Sequence, residues 1–241
     1  MTGYYQEGPE RSKQVQHLFT KIAKRYDWIN DLQSGGMHRR WKNDLVKSLR
    51  PNSHHRILDL ACGSGDLAFR ILRQEPTARV FGADLTFPML KVAQSRTIHK
   101  KTRAQGWIHL DALALPFPEK TFDSAVIGYG LRNMARTTHA LMEIFRVLKP
   151  GGKVAILDFG KPSNSFIRAI YYAALKTVQP IFGLLFFGDR QTYRYIYESL
   201  IHYPAQEGIA HLMKKVGFTD IICRDLAFGM MSLHFGTRME G

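Results

Sequence analysis

Four carboxylates and two glycines fall where they would hold a small polar ligand. Asp59 precedes the loop Cys62-Gly63-Ser64-Gly65, Asp66 follows it at once, Asp84 closes the next apolar run, and Asp111-Ala112 closes the one after. Glycine lacks a Cβ, so Gly63 and Gly65 let the loop turn sharply and let a ligand approach the backbone. The free N–H groups of a helix starting at Asp66 would face that ligand. An acid at Asp84 can accept hydrogen bonds from both hydroxyls of a ribose. A carboxylate and a backbone N–H at Asp111-Ala112 would bracket an adenine.

These residues need a sheet to hold them, and the sequence predicts one. Apolar runs over 57–60, 79–84, 107–110, 124–128 and 153–159 read as strands. Amphipathic stretches near 66–74, 89–93 and 137–148 separate them, the last closed by a turn at Lys149-Pro-Gly-Gly152. Such alternation argues for a parallel, doubly wound α/β sheet with right-handed crossovers. Ligands in these sheets sit beyond the carboxyl ends of the strands, where the glycine loop lies. Two final strands, over 218–224 and 232–237, have a connection short enough for antiparallel pairing.

The flanks complete a single domain over 1–241: an N-terminal helical cap (1–50), a cofactor-binding core (51–159), an apolar insertion (160–204), and a C-terminal helix and hairpin (205–241). Residues 1–11 are polar and expected to be loose. A helix from about Ser12 carries one stripe, Val15, Leu18, Phe19, Ile22, Tyr26 and Ile29, and breaks at Gly35-Gly36. A second helix, with Trp41, Leu45 and Leu49, ends at Arg50-Pro51. In the insertion, 166–175 and 193–201 read as helices, with the apolar run 181–187 between them.

Composition narrows the classes. Two cysteines without paired spacing suggest neither a disulfide framework nor a zinc ribbon, and fit a cytoplasmic protein. No secretory signal is expected at the N-terminus. Arg168 and Lys176 interrupt the most apolar stretch, leaving no charge-free run near the ~20 residues of a membrane span. The net charge of +14 favours a polyanionic partner, either nucleic acid or an anionic membrane surface. His54-His55 and His99 lack ligand spacing, so no metal is expected.

Two cofactors fit the loop. Gly63-x-Gly65-x-x-Ala68 satisfies the dinucleotide pattern, which keeps NAD open. The acids Asp59 and Asp66 repel a pyrophosphate and attract a cationic sulfonium, which tilts the reading toward S-adenosylmethionine. Both acids also suit a plainer role, as loop brace and first-turn helix acid.

Motifs along nearly the whole chain carry a resemblance. They are Phe19-Thr-Lys-Ile-Ala-Lys-Arg-Tyr-Asp-Trp-Ile-Asn30, Gly36-Met-His-Arg-Arg-Trp-Lys42, Leu58-Asp-Leu-Ala-Cys-Gly-Ser-Gly-Asp66, Gly128-Tyr-Gly-Leu-Arg-Asn133 and Arg146-Val-Leu-Lys-Pro-Gly-Gly152, with Tyr193-Arg-Tyr195 and Glu198-Ser199. The chain resembles the class I S-adenosylmethionine-dependent methyltransferases, and within them the ubiquinone/menaquinone biosynthesis C-methyltransferases. The resemblance implies cofactor contacts at Ser64, Asp84, Asp111, Ala112 and Gly128, joining Asp59, Gly63 and Gly65 from the loop. It implies methylation of a prenylated hydroquinone on ring carbon. Ser64 stands where threonine is usual and Gly128 where serine often stands.

Carbon is a poor nucleophile unless a neighbouring hydroxyl loses its proton, so a base or a phenolate-stabilising group is expected. The motifs supply Tyr26 and Asp27 to close the N-terminal helix over the site. They supply His38 as a residue suited to base work, and Arg132 as a permanent cation for a phenolate. Arg132→Ala is expected to spare cofactor binding and slow turnover; the plainer role for Arg132 is pairing with Asp27 or Glu198. Residues 166–187, with the basic runs 38–50 and 99–103, suit a prenyl tail and an anionic membrane surface, or else core or a homodimer interface. An RNA methyltransferase is disfavoured, because the Asn/Asp-Pro-Pro-Tyr/Phe turn is missing after the fourth strand and no further nucleic-acid module is present. A quinone-binding partner without activity would not need the cofactor loop.

Overall fold

The computed structural model describes residues 9–100, 104–187 and 191–239. The alternation that begins at Arg56 forms one seven-stranded sheet of order β3-β2-β1-β4-β5-β7-β6. Its strands are β1 (Arg56–Leu60), β2 (Arg79–Asp84), β3 (Gly106–His109), β4 (Phe122–Gly128), β5 (Leu148–Phe159), β6 (Phe218–Leu226) and β7 (Met231–Arg238). Pairing is parallel from β3 across to β5. Strand β7 lies antiparallel between β5 and β6.

Period-two alternation explains why helices cover both faces. Leu58, Leu60, Ile127 and Ile156 face one core; Ile57, Val126, Ala155 and Leu157 face the other. The helices are α1 (Pro9–Ile22), α2 (Tyr26–Ser34), α3 (Met37–Leu49), α4 (Asp66–Gln74), α5 (Phe87–Lys100), α6 (Thr137–Val147), α7 (Ser165–Phe187), α8 (Gln191–His202) and α9 (Ala205–Val216). Chain order reverses between β1 and β4, and the α1–α3 cap sits over the strand ends beside that switch point.

Several expectations need correction. The N-terminal stripe is not one helix: a 3-10 turn over Ala23–Arg25 separates α1 from α2. The stripe serves two cavities, with Val15 on one, Leu18, Ile22 and Ile29 on the other, and Phe19 and Tyr26 on both. Helix α1 includes Pro9 and Glu10, inside the segment expected to be loose, and proline suits a first helical turn. Lys149-Pro-Gly-Gly152 is no free turn but the start of β5, where register jumps from Phe122↔Leu148 to Ser124↔Lys153 and Gly151 takes φ +73°. Residues 165–187 form one helix that runs through Pro180. The ring removes the bond to the Lys176 carbonyl, and Lys176 is exposed, so water can replace it. Of the basic and aromatic residues singled out above, 101–103 and the side chains of Tyr193 and Tyr195 lie outside the described residues.

Candidate active site

Two cavities abut beneath the cap, and Phe19, Tyr26 and Tyr129 contribute to both walls. The first lies at the switch point. Asp59, Gly63, Asp84, Asp111, Ala112 and Gly128 line it, so six of the eight expected cofactor residues converge. Ser64 and Gly65 are not on its wall.

Strand β2 ends at Asp84, whose carboxylate is held on both sides: Gly63 N donates to Oδ2 at 2.8 Å and Thr86 N to Oδ1 at 2.7 Å. Each oxygen keeps a lone pair for a ligand. Burial lifts this carboxyl above its ordinary range, against the pull of the two N–H groups. Asp111 caps its own turn, accepting from Leu113 N at 2.9 Å. Gly63, at φ +54°, has room for no side chain without displacing Met89, and a Cβ on Gly128 would strike Leu67.

Asp59 is fully buried and braces the loop, accepting from Ala68 N at 2.9 Å through Oδ2. Its Oδ1 has no partner among the described residues. Burial pushes its carboxyl up to about 8, so it is largely uncharged at neutral pH. Asp66 is committed elsewhere: Lys42 Nζ lies 2.9 Å away, Arg70 at 3.3 Å and Arg96 at 3.8 Å. Burial works to raise its carboxyl, but the Lys42 and Arg70 cations outweigh it and hold the carboxyl well below the usual range. Burial thus moves Asp59 toward neutrality while Lys42 and Arg70 balance the charge of Asp66, and Asp84 and the unpaired Asp59 Oδ1 are the groups suited to hydroxyl and amino groups.

Ser64 and Asp27 form a clamp. The Ser64 hydroxyl donates to Asp27 Oδ1 at 2.8 Å, and Arg96 Nη1 donates to Asp27 Oδ2 at 2.6 Å and to the Ser64 carbonyl at 3.0 Å. Asp27 thus pins α2 to the glycine loop and is on neither cavity wall. Gly65 is required by packing: at φ +79°, any Cβ would overlap the Trp107 ring.

The second cavity is apolar, with Leu18, Ile22, Ile29, Leu175 and Met231 among its walls, and it includes His38 and Arg132. The Arg132 guanidinium lies 4.6 Å over Phe159 and donates to Ser199 Oγ at 3.0 Å. Its Nε is 3.5 Å from Asp158, which is fully buried. Asp158 is therefore an acidic partner of Arg132, while Asp27 pairs with Arg96 instead.

Sequence reasoning passed over Tyr129, although it stands between two glycines of a quoted motif. It takes φ +63°, a conformation rare outside glycine, and its hydroxyl is buried without a partner among the described residues. Burial pushes its phenol well up, so it stays protonated. Lys42 was missed as well; its ammonium lies 5.6 Å over the Tyr129 ring on the first cavity's wall.

A sequence model described as the ubiE/COQ5 methyltransferase family matches residues 8–238. The chain is 39% identical over 226 residues to the ubiquinone/menaquinone biosynthesis C-methyltransferase UbiE of Dinoroseobacter shibae, covering 93% of this chain and 90% of that one. It is 38% identical over 233 residues to the mitochondrial 2-methoxy-6-polyprenyl-1,4-benzoquinol methylase of Caenorhabditis elegans, covering 95% and 81%. Among solved structures, phosphoethanolamine N-methyltransferase 2 of Haemonchus contortus in complex with S-adenosyl-L-methionine is alike in fold. The TM-score is 0.60 at 20% identity, over 83% of this chain and 52% of that one.

Proposed function

The chain belongs to the ubiE/COQ5 methyltransferase family, and on that premise we propose that it methylates a ring carbon of a prenylated hydroquinone, with S-adenosylmethionine as donor. The observation that carries the reading is the pair of abutting cavities. One is built of acids and glycines at the switch point, the other of apolar side chains, and aromatic residues form the wall they share.

The first cavity fits the methyl donor. Asp84 offers two anchored oxygens to ribose hydroxyls, and Asp59 Oδ1 is a buried oxygen without a partner among the described residues. Gly63 and Gly128 keep the backbone accessible, and Asp111 and Ala112 complete the wall. Bound there, the sulfonium supplies an electrophilic methyl group. The chain's own part is alignment: a donor in one cavity and an acceptor in the other would meet at the shared wall, which would convert an encounter into an in-line approach. Arg132, held by Asp158 and Ser199, adds a fixed positive charge to the acceptor cavity where negative charge develops on the ring oxygen.

Helix α7 links this cavity to the outside. Tyr171 and Leu175 are buried on its inner side and line the cavity. Phe166, Ile170, Val178, Ile181 and Leu184 are exposed on its outer side. Its sequence holds Arg168 and Lys176 and no acid. Among the described residues, no helix is long and apolar enough to cross a membrane. An apolar face with cationic neighbours suits shallow insertion at an anionic bilayer surface, where a prenylated acceptor resides.

The deciding experiment is label transfer from methyl-labelled S-adenosylmethionine to reduced demethylmenaquinone, to a reduced methoxy-polyprenyl benzoquinone, and to an RNA pool. Label in either quinol is expected; label in RNA alone sinks the reading. For the membrane, flotation with phosphatidylglycerol vesicles should retain wild type and lose the Ile170→Glu/Ile181→Glu variant. Equal flotation of the two would remove α7 from the interface.

A further inference from the structure

The acceptor cavity, apolar for most of its wall, is lined by residues with buried nitrogens that have no partner among the described residues. His38 is 4% exposed. Its Nε2 lies 2.7 Å from Asp31 Oδ1. A carboxylate only accepts, so the proton sits on Nε2, and Nδ1 keeps a free lone pair. Nδ1 is buried with no partner among the described residues, and so is the amide Nδ2 of Asn30, also on this wall. Both residues line the cavity, so its wall holds one unpaired acceptor and one unpaired donor just beneath its surface. An unfilled pair of this kind costs stability unless a ligand satisfies it.

We propose that His38 Nδ1 is the base that takes the hydroxyl proton of the acceptor ring, with Asp31 as its positioning residue and Asn30 donating to a second ring oxygen. The inference rests on the quinol reading above and names the proton acceptor within it. The O–H bond breaks, the proton moves to Nδ1, and the electron pair stays on oxygen and spreads to the neighbouring ring carbon. That carbon's pair forms the new bond to the methyl carbon, while the C–S pair remains on sulfur. The ring C–H proton then leaves to water, the ring recovers its aromaticity, and His38 returns its proton to the oxygen. One proton is released per methyl and no oxidant is needed. Asp31 stabilises the imidazolium while it exists, and is itself held as a carboxylate by hydrogen bonds from Arg39.

The surroundings favour a neutral imidazole at rest. Burial lowers the His38 pKa; the hydrogen bond to Asp31 opposes that, Lys42 lowers it further, and the charges of Asp31 and Asp66 raise it. Arg132 and the phenols of Tyr26, Tyr129 and Tyr171 share the cavity wall. Nδ1 is therefore available as a base below the ordinary imidazole value of about 6.5.

The test is steady-state kinetics against pH with a short-chain reduced demethylmenaquinone, alongside S-adenosylmethionine binding by calorimetry. His38→Asn should lower kcat by about 100-fold or more while cofactor affinity stays within twofold. Its residual activity should rise with pH as the quinol ionises by itself. Asp31→Asn, a change at a partly exposed side chain, should lower kcat less, leave the quinol KM unchanged and move the acid limb of the profile to lower pH. A folded His38→Asn variant with near-normal kcat and an unchanged acid limb overturns the proposal. If His38→Asn does not fold, an unmoved acid limb in Asp31→Asn overturns it equally. Wild type inactive on every quinol would instead overturn the functional reading beneath it.

Discussion

Replacing Asp84 by Asn separates a ligand contact from a loop brace. The native carboxylate accepts from Gly63 N at 2.8 Å and from Thr86 N at 2.7 Å, one N–H on each oxygen. Asparagine has nearly the same volume but presents one acceptor and one donor. One backbone N–H must then face an NH2 group, at a cost of about 1–3 kcal/mol for a buried donor left unmade. At roughly 2–4 °C per kcal/mol for a chain of this size, Tm should fall by several degrees. The ligand side is additional. Hydrogen bonds to a charged acceptor are worth about 1.5–3 kcal/mol against about 1 for neutral ones. Two ribose hydroxyls that lose the charge should therefore weaken S-adenosylmethionine binding by about 1–4 kcal/mol, at least about fivefold. Wild-type affinity should also decline as pH is lowered through the raised Asp84 value, and the variant should lack that decline. Calorimetry with S-adenosylmethionine and its demethylated product measures both effects. A lower Tm with affinity within twofold of wild type would refute the argument, leaving Asp84 as a brace alone.

Arg132→Ala was expected from the sequence to slow turnover and spare cofactor binding. The structure predicts a stability loss first, about 3–5 kcal/mol by urea unfolding, because fully buried Asp158 loses its cation; a change below 1 kcal/mol would contradict this. Gly65→Ala should cost about 1–3 kcal/mol from its left-handed backbone alone, with further loss from the Trp107 ring, and normal thermal stability would disprove the packing role. Lys42→Met should raise the midpoint of acid unfolding seen by far-UV circular dichroism. The folded pKa of Asp66 lies below its unfolded value, so its contribution is present above the unfolded pKa and lost as pH falls through the folded one. Removing Lys42 lifts the folded value and narrows that difference; an unmoved midpoint would place the pairing elsewhere.

The strand sequence of the sheet and the cofactor-side residues were legible because local rules govern them. Apolar runs with period-two alternation place Leu58 and Ile57 on opposite cores, and glycines mark where backbone must turn or be approached. Residue type and strand end sufficed to put Asp84, Asp111 and Gly63 on one wall. Partnership was not legible. Asp59 and Asp66 are both acids beside one loop, yet one is pushed toward neutrality by burial and the other held ionised by Lys42 and Arg70, from distant and adjacent parts of the chain. Asp27 and Ser64 were visible as motif residues, but not the clamp they form with Arg96 from α5. His38 was visible as a histidine in a motif, but the free Nδ1 depends on Asp31 occupying Nε2 across the α2–α3 turn. Charge state and hydrogen-bond satisfaction depend on distance and burial, so the amino-acid sequence by itself determined the sheet, the cofactor loop and the family. Only the tertiary structure decided which of the candidate polar groups are spent on one another and which are left for a ligand.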